Sequence, residues 1–394
     1  MQAAPFGTAT RPSSESRTGL WGVDPLLALA AVGLISASAF TIGTATLTDV
    51  EGSPYYYVVR QSIYGAVGVL LMLLVSRFDY SRLRELKIGI YATIIVSITL
   101  VFVLATATRG SKRWIELPFF TFQPSELGKV LLIVALAGFI VDRVRRLGEA
   151  ESTSRIVLLA LIPAMLVIAQ PDLGTGLVYM VIVGALLFVA GTKWTHFAVL
   201  GALGAAAVAV VLVAAPAVGV EVLKPYQVDR LTAFLSPSED PQSQGYQLNQ
   251  SITAIGAGQK IGRGPEGATQ TRLDFLPEHH TDFVFSVVGE EFGFLGAAVV
   301  LSLYALLIWR GLTILTMAKN LYGALIAGGI VAMLMFQIFV NVGMTLGIMP
   351  ITGVPLPLMS YGGSSVIVTF LAVGLLQSIH AQSRATAAAK GRIA

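Results

Sequence analysis

Long apolar stretches alternate with short polar connections along this chain. A helix needs about 20 mostly apolar residues to cross a bilayer, and somewhat fewer if it is short or broken. Ten stretches meet that requirement: 25–47, 57–76, 87–107, 125–142, 155–170, 174–191, 195–219, 283–309, 321–346 and 363–380. They predict an all-α membrane protein with ten transmembrane helices. The fifth and sixth stretches are joined only by Pro171-Asp172-Leu173, so one broken helix and a count of nine are also open. A polar segment, 1–24, precedes the first stretch and another, 381–394, follows the last, leaving 25–380 as one polytopic domain. No small-residue cleavage site follows the first stretch cleanly, so a retained span is expected rather than a removed signal peptide.

Residues 220–282 form the one long connection, between spans 7 and 8. They are too polar to span and too long for a turn, and long loops in compact proteins are usually functional. Within the loop, Leu248, Ile252 and Ile255 recur at helical spacing, which predicts a short amphipathic helix lying on the membrane surface. Glycines at 256, 258, 262, 264 and 267 then predict a turn-rich backbone.

Composition agrees with this reading. Only 12% of the 394 residues are charged and 55% are hydrophobic, with mean hydropathy +0.76; soluble chains carry about 25% charged residues. There is no cysteine, which excludes disulfides, thiolate catalysis and Cys-type zinc sites. The four histidines form no HExxH pattern. Charge placement sets the orientation. With the N-terminus inside, Arg77, Arg82, Arg84, Lys87, Arg143, Arg145, Arg146, Arg310 and Lys319 all fall on the cytoplasmic side. Both termini are then cytoplasmic and the long loop is outside. The cluster Arg109, Lys112 and Arg113 runs against the rule.

Candidate chemistry lies at the span ends. Asp282 stands where the long loop meets span 8. A carboxylate at that boundary would be a proton acceptor made more basic by partial desolvation, or, equally, a helix N-cap. Glu126 and Lys129 share one face of span 4, three residues apart. Ionisable groups within a span usually face a cavity, though both can also snorkel to the interface as a self-contained ion pair. Arg60 in span 2 carries the same two readings. With Arg109, Lys112 and Arg113 these cations would form a positive outer cleft suited to a pyrophosphate. Asp172 sits at the Pro-Gly break between spans 5 and 6, as a substrate ligand or as a turn residue capping span 6. Glu290 reads as a structural hydrogen-bond partner. The glycine run GQKIGRGPEG lacks GK[ST] and fails as a phosphate loop.

Four stretches together resemble the SEDS family of RodA, FtsW and SpoVE proteins: RGSKRWIELPFFTFQPSELGK at 109–129, QPDLGT at 170–175, GYQLNQSITAIGAG through LPEHHTDFVFSVVGEEFGFLG at 245–296, and PITGVPLPLMSYGGSS at 350–365. They occur in the family's order and the similarity extends over the chain beyond about residue 24. Gly267-Ala-Thr-Gln270 and the TGVPLP run at 352–357 look more like the elongation branch, RodA, than the division branch, FtsW. GQKIGRG at 258–264 departs from the family's usual paired glycines and aromatic. The resemblance implies a peptidoglycan glycosyltransferase of the bacterial inner membrane, active on its outer face, that polymerises lipid II into β-1,4-linked glycan. It implies Asp282 as the general base of an inverting transfer. Arg60, Arg109, Lys112, Glu126, Lys129, Asp172 and Glu278 are then the candidate substrate-binding residues. A divalent cation, Mg2+ or Mn2+, is compatible with the pyrophosphate leaving group, and the sequence offers no clear ligand set for it. Implied partners are lipid II, the growing strand, a class B penicillin-binding protein, the elongation machinery and membrane lipids, with no nucleic acid. A lipid II flippase, the FtsW-type division member of the same family and a non-catalytic scaffold are the rival readings.

Overall fold

The computed structural model describes residues 22–47, 49–50, 52–104, 113–117, 120–217, 244–273 and 275–391. Eleven main helices carry the fold. They are α1 (Pro25–Ala45), α2 (Tyr56–Ser76), α3 (Lys87–Leu104), α4 (Pro124–Asp142), α5 (Ala150–Ala169), α6 (Leu173–Val189), α7 (Trp194–Ala209), α8 (Gln244–Gly258), α9 (Val284–Met317), α10 (Leu321–Thr345) and α11 (Gly363–Gly391). Among the described residues, nine helices are long and apolar enough to cross a membrane, and the shorter apolar α6 makes a tenth. The chain is an all-α, multi-pass membrane protein. α5 and α6 are two separate helices packed on each other. Of the expected long loop 220–282, residues 220–243 and 274 lie outside the described residues, as do Arg109 and Lys112. α11 continues to Gly391, so most of the predicted C-terminal tail extends a helix.

In a bilayer, apolar faces are not driven inward, so burial follows small and polar residues as much as hydrophobic ones. α4, α10 and α11 are mostly buried and form the centre, with α2 packed along α11 and α1 along α9. α7, apolar on every side, buries none of its residues and lies at the rim. Internal polar groups bridge helices. Gln61 Nε2 donates to Ser38 Oγ at 2.9 Å and to the Ser360 carbonyl at 3.2 Å, tying α2 to α1 and to the loop before α11.

α1 begins at one end of the bundle and finishes at the other. At its start, Asp24 caps α1 by accepting from the amides of Leu26 and Leu27 and pairs with Arg310 of α9. Gln377 of α11 donates to the Asp24 carbonyl at 3.0 Å. Burial works against the Asp24 charge, but the Arg310 hydrogen bond, the Leu27 amide and the Arg310 charge together hold its carboxyl below the ordinary value. At the other end of α1 lie Thr44 and Asp49, facing α9 and the turn before it.

α9 is not one straight helix. Gly293 has φ 62° and ψ −159°, which breaks it into a short segment before the glycine and a long one after it. The glycine loop 258–264 repairs the break. Arg263 N donates to Glu290 O at 2.9 Å, Phe294 N to Gln259 O at 2.9 Å and Leu295 N to Lys260 O at 3.1 Å. Broken helices persist at membrane depth only where neighbours satisfy the freed backbone. Two backbones meet here without side chains between them: a Cβ on Gly258 would lie 1.8 Å from Gly289 O, and one on Gly262 (φ +84°) would lie 2.1 Å from Glu291 O. Gly262→Ala is expected to destabilise by at least about 1–3 kcal/mol from the positive φ alone, with the clash added. A lowered Tm of the purified variant checks it; an unchanged Tm refutes the close approach.

α8 is the predicted amphipathic helix, with a different buried face. Leu248, Ser251 and Ala254 are buried, while Ile252 is 44% exposed. The reason is polar. Ser251 Oγ lies 2.6 Å from Ser286 Oγ and donates to Thr345 O at 2.7 Å, so α8 docks onto α9 and α10 rather than merely lying on the surface.

Candidate active site

At the Asp49 end of the bundle a polar cavity of about 220 Å3 opens. Arg113, Trp114, Gln123, Glu126, Asp172 and Asp282 line it, together with the backbone from Tyr361 to Ser365. A larger hollow of about 560 Å3 between α9 and α10 is lined by apolar groups such as Leu301, Ile338 and Phe339 and holds no acid or base.

Each wall has a local cause. A hairpin of β1 (Ile115–Leu117) and β2 (Phe120–Phe122) bridges to α4, with Ile115 opposite Phe122. Two strands alone are marginal. This pair is held by Ser364 Oγ donating to Thr121 O at 2.8 Å and by Phe120 against Tyr64. Asp282 does not cap α9, because the N-cap position falls on Phe283. Instead its backbone is clamped. Asn341 Nδ2 donates to the Asp282 carbonyl at 3.0 Å and to Val354 O at 2.9 Å. Ser360 Oγ donates to Thr281 O at 2.6 Å, and Tyr361 N to His280 O at 2.8 Å. The half-buried Asp282 thus faces the cavity on a turn fixed from α10 and from the TGVPLP segment, whose Gly353 and Pro355 also line the cavity.

Asp172 caps α6 through Thr175 N at 3.1 Å, accepts from Gln123 Nε2 at 3.2 Å, and lines the cavity. Arg113 stands 4.0 Å from it and donates to the carbonyls of Gln170 and Pro171, so this guanidinium is fixed on the α5–α6 turn. Glu126 lines the cavity, but Lys129 does not. Its ammonium is 2.7 Å from Glu126 and its side chain only 2% exposed, so its bond is spent on the carboxylate. Arg60 also lies back from the cavity, over the Tyr56 ring at 4.3 Å, and its charge acts on Tyr361, which lines the cavity. Burial, with Tyr64 adding to it, pushes the Tyr361 phenol up despite Arg60, so it stays a neutral hydroxyl. Glu278, at φ 56°, accepts from Thr281 Oγ1 at 2.8 Å and braces the turn behind Asp282. Glu290 accepts from Gln270 N, Thr271 N and Thr271 Oγ1, holding the short helix Thr269–Arg272.

Four helix N-termini converge on the cavity: those of α4 (Gln123), α6 (Asp172), α9 (Thr281 and Asp282) and α11 (Gly363 to Ser365). Helix N-termini carry partial positive charge and unpaired amides, which favour anions. With Arg113 they bring positive charge up to the three carboxylates Glu126, Asp172 and Asp282, and so offset their negative charge. Sequence reasoning passed over Asn341, Ser360 and Gln61. A polar residue within an apolar span, as in Phe336-Gln-Ile-Phe-Val-Asn341, is the signal that would have found the first.

Fold and site define a multi-pass helical membrane protein with a cavity lined by three carboxylates and one arginine at one end of its bundle. The FtsW/RodA/SpoVE family model, described as cell cycle protein, matches residues 20–385. The peptidoglycan glycosyltransferase MrdB of Escherichia coli K12 is 36% identical over 360 residues, 91% of this chain and 93% of that one. Stage V sporulation protein E of Bacillus subtilis is 34% identical over 333 residues, 84% of this chain and 88% of the relative. A chain from a solved structure described as "Structural coordination of polymerization and crosslinking by a peptidoglycan synthase complex" superposes with TM-score 0.76 at 32% identity, covering 92% of this chain and 98% of its own. The chain belongs to the SEDS family. It is a membrane glycosyltransferase of that family.

Proposed function

We propose that this chain polymerises lipid II into β-1,4-linked glycan strands, with Asp282 as general base. One observation carries the reading: Asp282 is clamped at the wall of a cavity where four helix N-termini and Arg113 gather positive charge. The Asp282 carboxylate takes the proton of the acceptor's GlcNAc 4-hydroxyl. That oxygen forms a bond to C1 of the MurNAc of the donor chain as the C1–pyrophosphate bond breaks. Configuration inverts from α to β, and undecaprenyl pyrophosphate leaves with the bonding pair. Arg113 and the helix N-termini stabilise the charge that develops on the leaving group. Glu126, Asp172 and Tyr361 line the path of the sugars, while Lys129, Arg60 and Glu278 hold those walls in place. Arg109 and Lys112 precede Arg113 in sequence and belong to the same basic segment.

A Mg2+-type cation fits this donor set, because such ions need only one or two carboxylates plus substrate phosphate oxygens. Asp282 is the carboxylate that would hold it, and the ion would neutralise pyrophosphate charge. Orientation follows from charge: Arg84, Lys87, Arg310 and Lys319 lie at the Asp24 end, and cytoplasmic loops are the basic ones. The cavity therefore faces outward, where lipid II is presented, across the bacterial inner membrane. A class B penicillin-binding protein is the partner, supported by the likeness to a chain of a peptidoglycan synthase complex. The TGVPLP and GATQ segments support the elongation role.

Purified protein with its transpeptidase partner and labelled lipid II should yield glycan strands in the presence of moenomycin, which silences class A polymerases. Movement of lipid II across a vesicle bilayer with no polymer would instead establish the flippase reading.

A further inference from the structure

Three residues outside the cavity form a cluster that glycosyl transfer does not use. Asp49, in the α1–α2 connection, places Oδ2 3.2 Å from His279 Nε2 and 3.8 Å from His280 Nδ1. One ligand atom from each of the three lies within 4.8 Å of the other two. The cluster is shielded, with side chains 10%, 6% and 17% exposed for Asp49, His279 and His280. Two aromatic rings wall it: Tyr57 lies 4.5 Å from the His280 ring and Tyr361 lies 5.7 Å from it.

His279 Nδ1 lies 3.1 Å from the Leu276 carbonyl. A carbonyl only accepts, so Nδ1 carries a proton, and in the neutral ring the Nε2 lone pair faces the Asp49 carboxylate. Two electron-rich atoms at that separation need a positive charge between them, either a second proton on His279 or a metal ion. A protonated His279 would satisfy only one carboxylate oxygen. It would leave Asp49 Oδ1, which is buried and has no hydrogen-bond partner among the described residues, without compensation, a costly state. It would also leave unexplained why a second imidazole converges on the same carboxylate. A metal accounts for both. Tetrahedral zinc holds nitrogen and oxygen donors at about 2.0–2.1 Å, which places neighbouring donors roughly 3.3 Å apart, close to the 3.2 Å from Asp49 Oδ2 to His279 Nε2 and shorter than the 3.8 Å to His280 Nδ1. The Nδ1–H bond of His279 to a backbone carbonyl is also the usual outer support of a metal-bound histidine.

We propose that Asp49, His279 and His280 bind one transition-metal ion of the Zn2+ class. Two imidazoles and a carboxylate suit such an ion rather than Mg2+, which prefers oxygen alone. Three protein donors leave a fourth position for water. The ion pins the α1–α2 connection to the turn that carries Asp282, three residues beyond His279. Its role is to position that turn; none of its ligands lines the cavity.

The test uses the purified full chain without lipid II, in excess Mg2+ so that oxygen-lined sites are filled, and so stands apart from the polymerisation assay. Zn2+ titration should raise Tm with one ion per chain, and Asp49→Asn should lower the affinity by at least about 100-fold, beyond the 10–100-fold typical of outer-shell changes. Co2+ should give a tetrahedral visible spectrum that Asp49→Asn and His280→Ala both weaken. The chain has no native cysteine, so in His279→Cys a new sulfur-to-cobalt charge-transfer band would place the ion on position 279. No Zn2+-dependent rise in wild-type Tm, an equal rise in Asp49→Asn, or a folded His279→Cys variant with no such band would each overturn the site.

Discussion

Asp282→Asn is expected to abolish glycan polymerisation while leaving the protein folded. The substitution keeps size and shape but removes the only charge the proposed chemistry needs from this residue. Positioned general bases contribute about 10²–10⁴-fold, so the residual rate should fall by that factor with lipid II, the transpeptidase partner and moenomycin present. Folding should survive because the turn is held through main chain, at Asn341 Nδ2 to Asp282 O and Ser360 Oγ to Thr281 O. Tm is therefore the control. Wild-type polymer yield from Asp282→Asn would remove Asp282 from the mechanism and shift the search to Glu126 or Asp172 within the same cavity.

Lys129→Ala should be the more damaging change to the fold. The variant strands Glu126, 3% exposed, without its cation. Breaking a buried pair from one side costs about 3–5 kcal/mol, whereas replacing both partners is often near neutral. The double change Glu126→Gln with Lys129→Met should thus regain much of the lost Tm. It should not regain full activity, because Glu126 itself lines the cavity. An unchanged Tm in Lys129→Ala would show that the pair contributes nothing to the fold. Full polymerisation by the double variant would make it structural alone.

The same pair shows how far the sequence could be read. Three-residue spacing on one helix face placed Glu126 beside Lys129, since helical geometry is local. It could not say which of the two meets substrate, because that depends on how far α4 sinks between α10 and α11. Asp172 was similarly legible as a residue at a helix break, yet its partner Arg113 lies 59 positions earlier and its donor Gln123 lies 49 earlier. The strands β1 and β2 do alternate, as Ile115-Glu-Leu117 and Phe120-Thr-Phe122, but three residues each are too few to signal a strand. The glycines of 258–264 signalled turns, but their purpose, lying against a break at Gly293, required two distant backbones to be seen in contact.

What the sequence determined by itself was the order and approximate place of the spans, short of whether the fifth and sixth were one broken helix, together with the membrane setting and Asp282 as a candidate at the start of α9. Hydrophobic length and the punctuation of proline, glycine and charge are local quantities, and a bilayer converts them directly into helices. Tertiary structure alone decided the convergence of four helix N-termini on one cavity, the clamp from Asn341 and Ser360 on the Asp282 turn, and the approach of Asp49 to His279 and His280. Those arrangements join residues from separate helices, and packing between helices is fixed by the fit of small and polar side chains at crossings that no single stretch of sequence records.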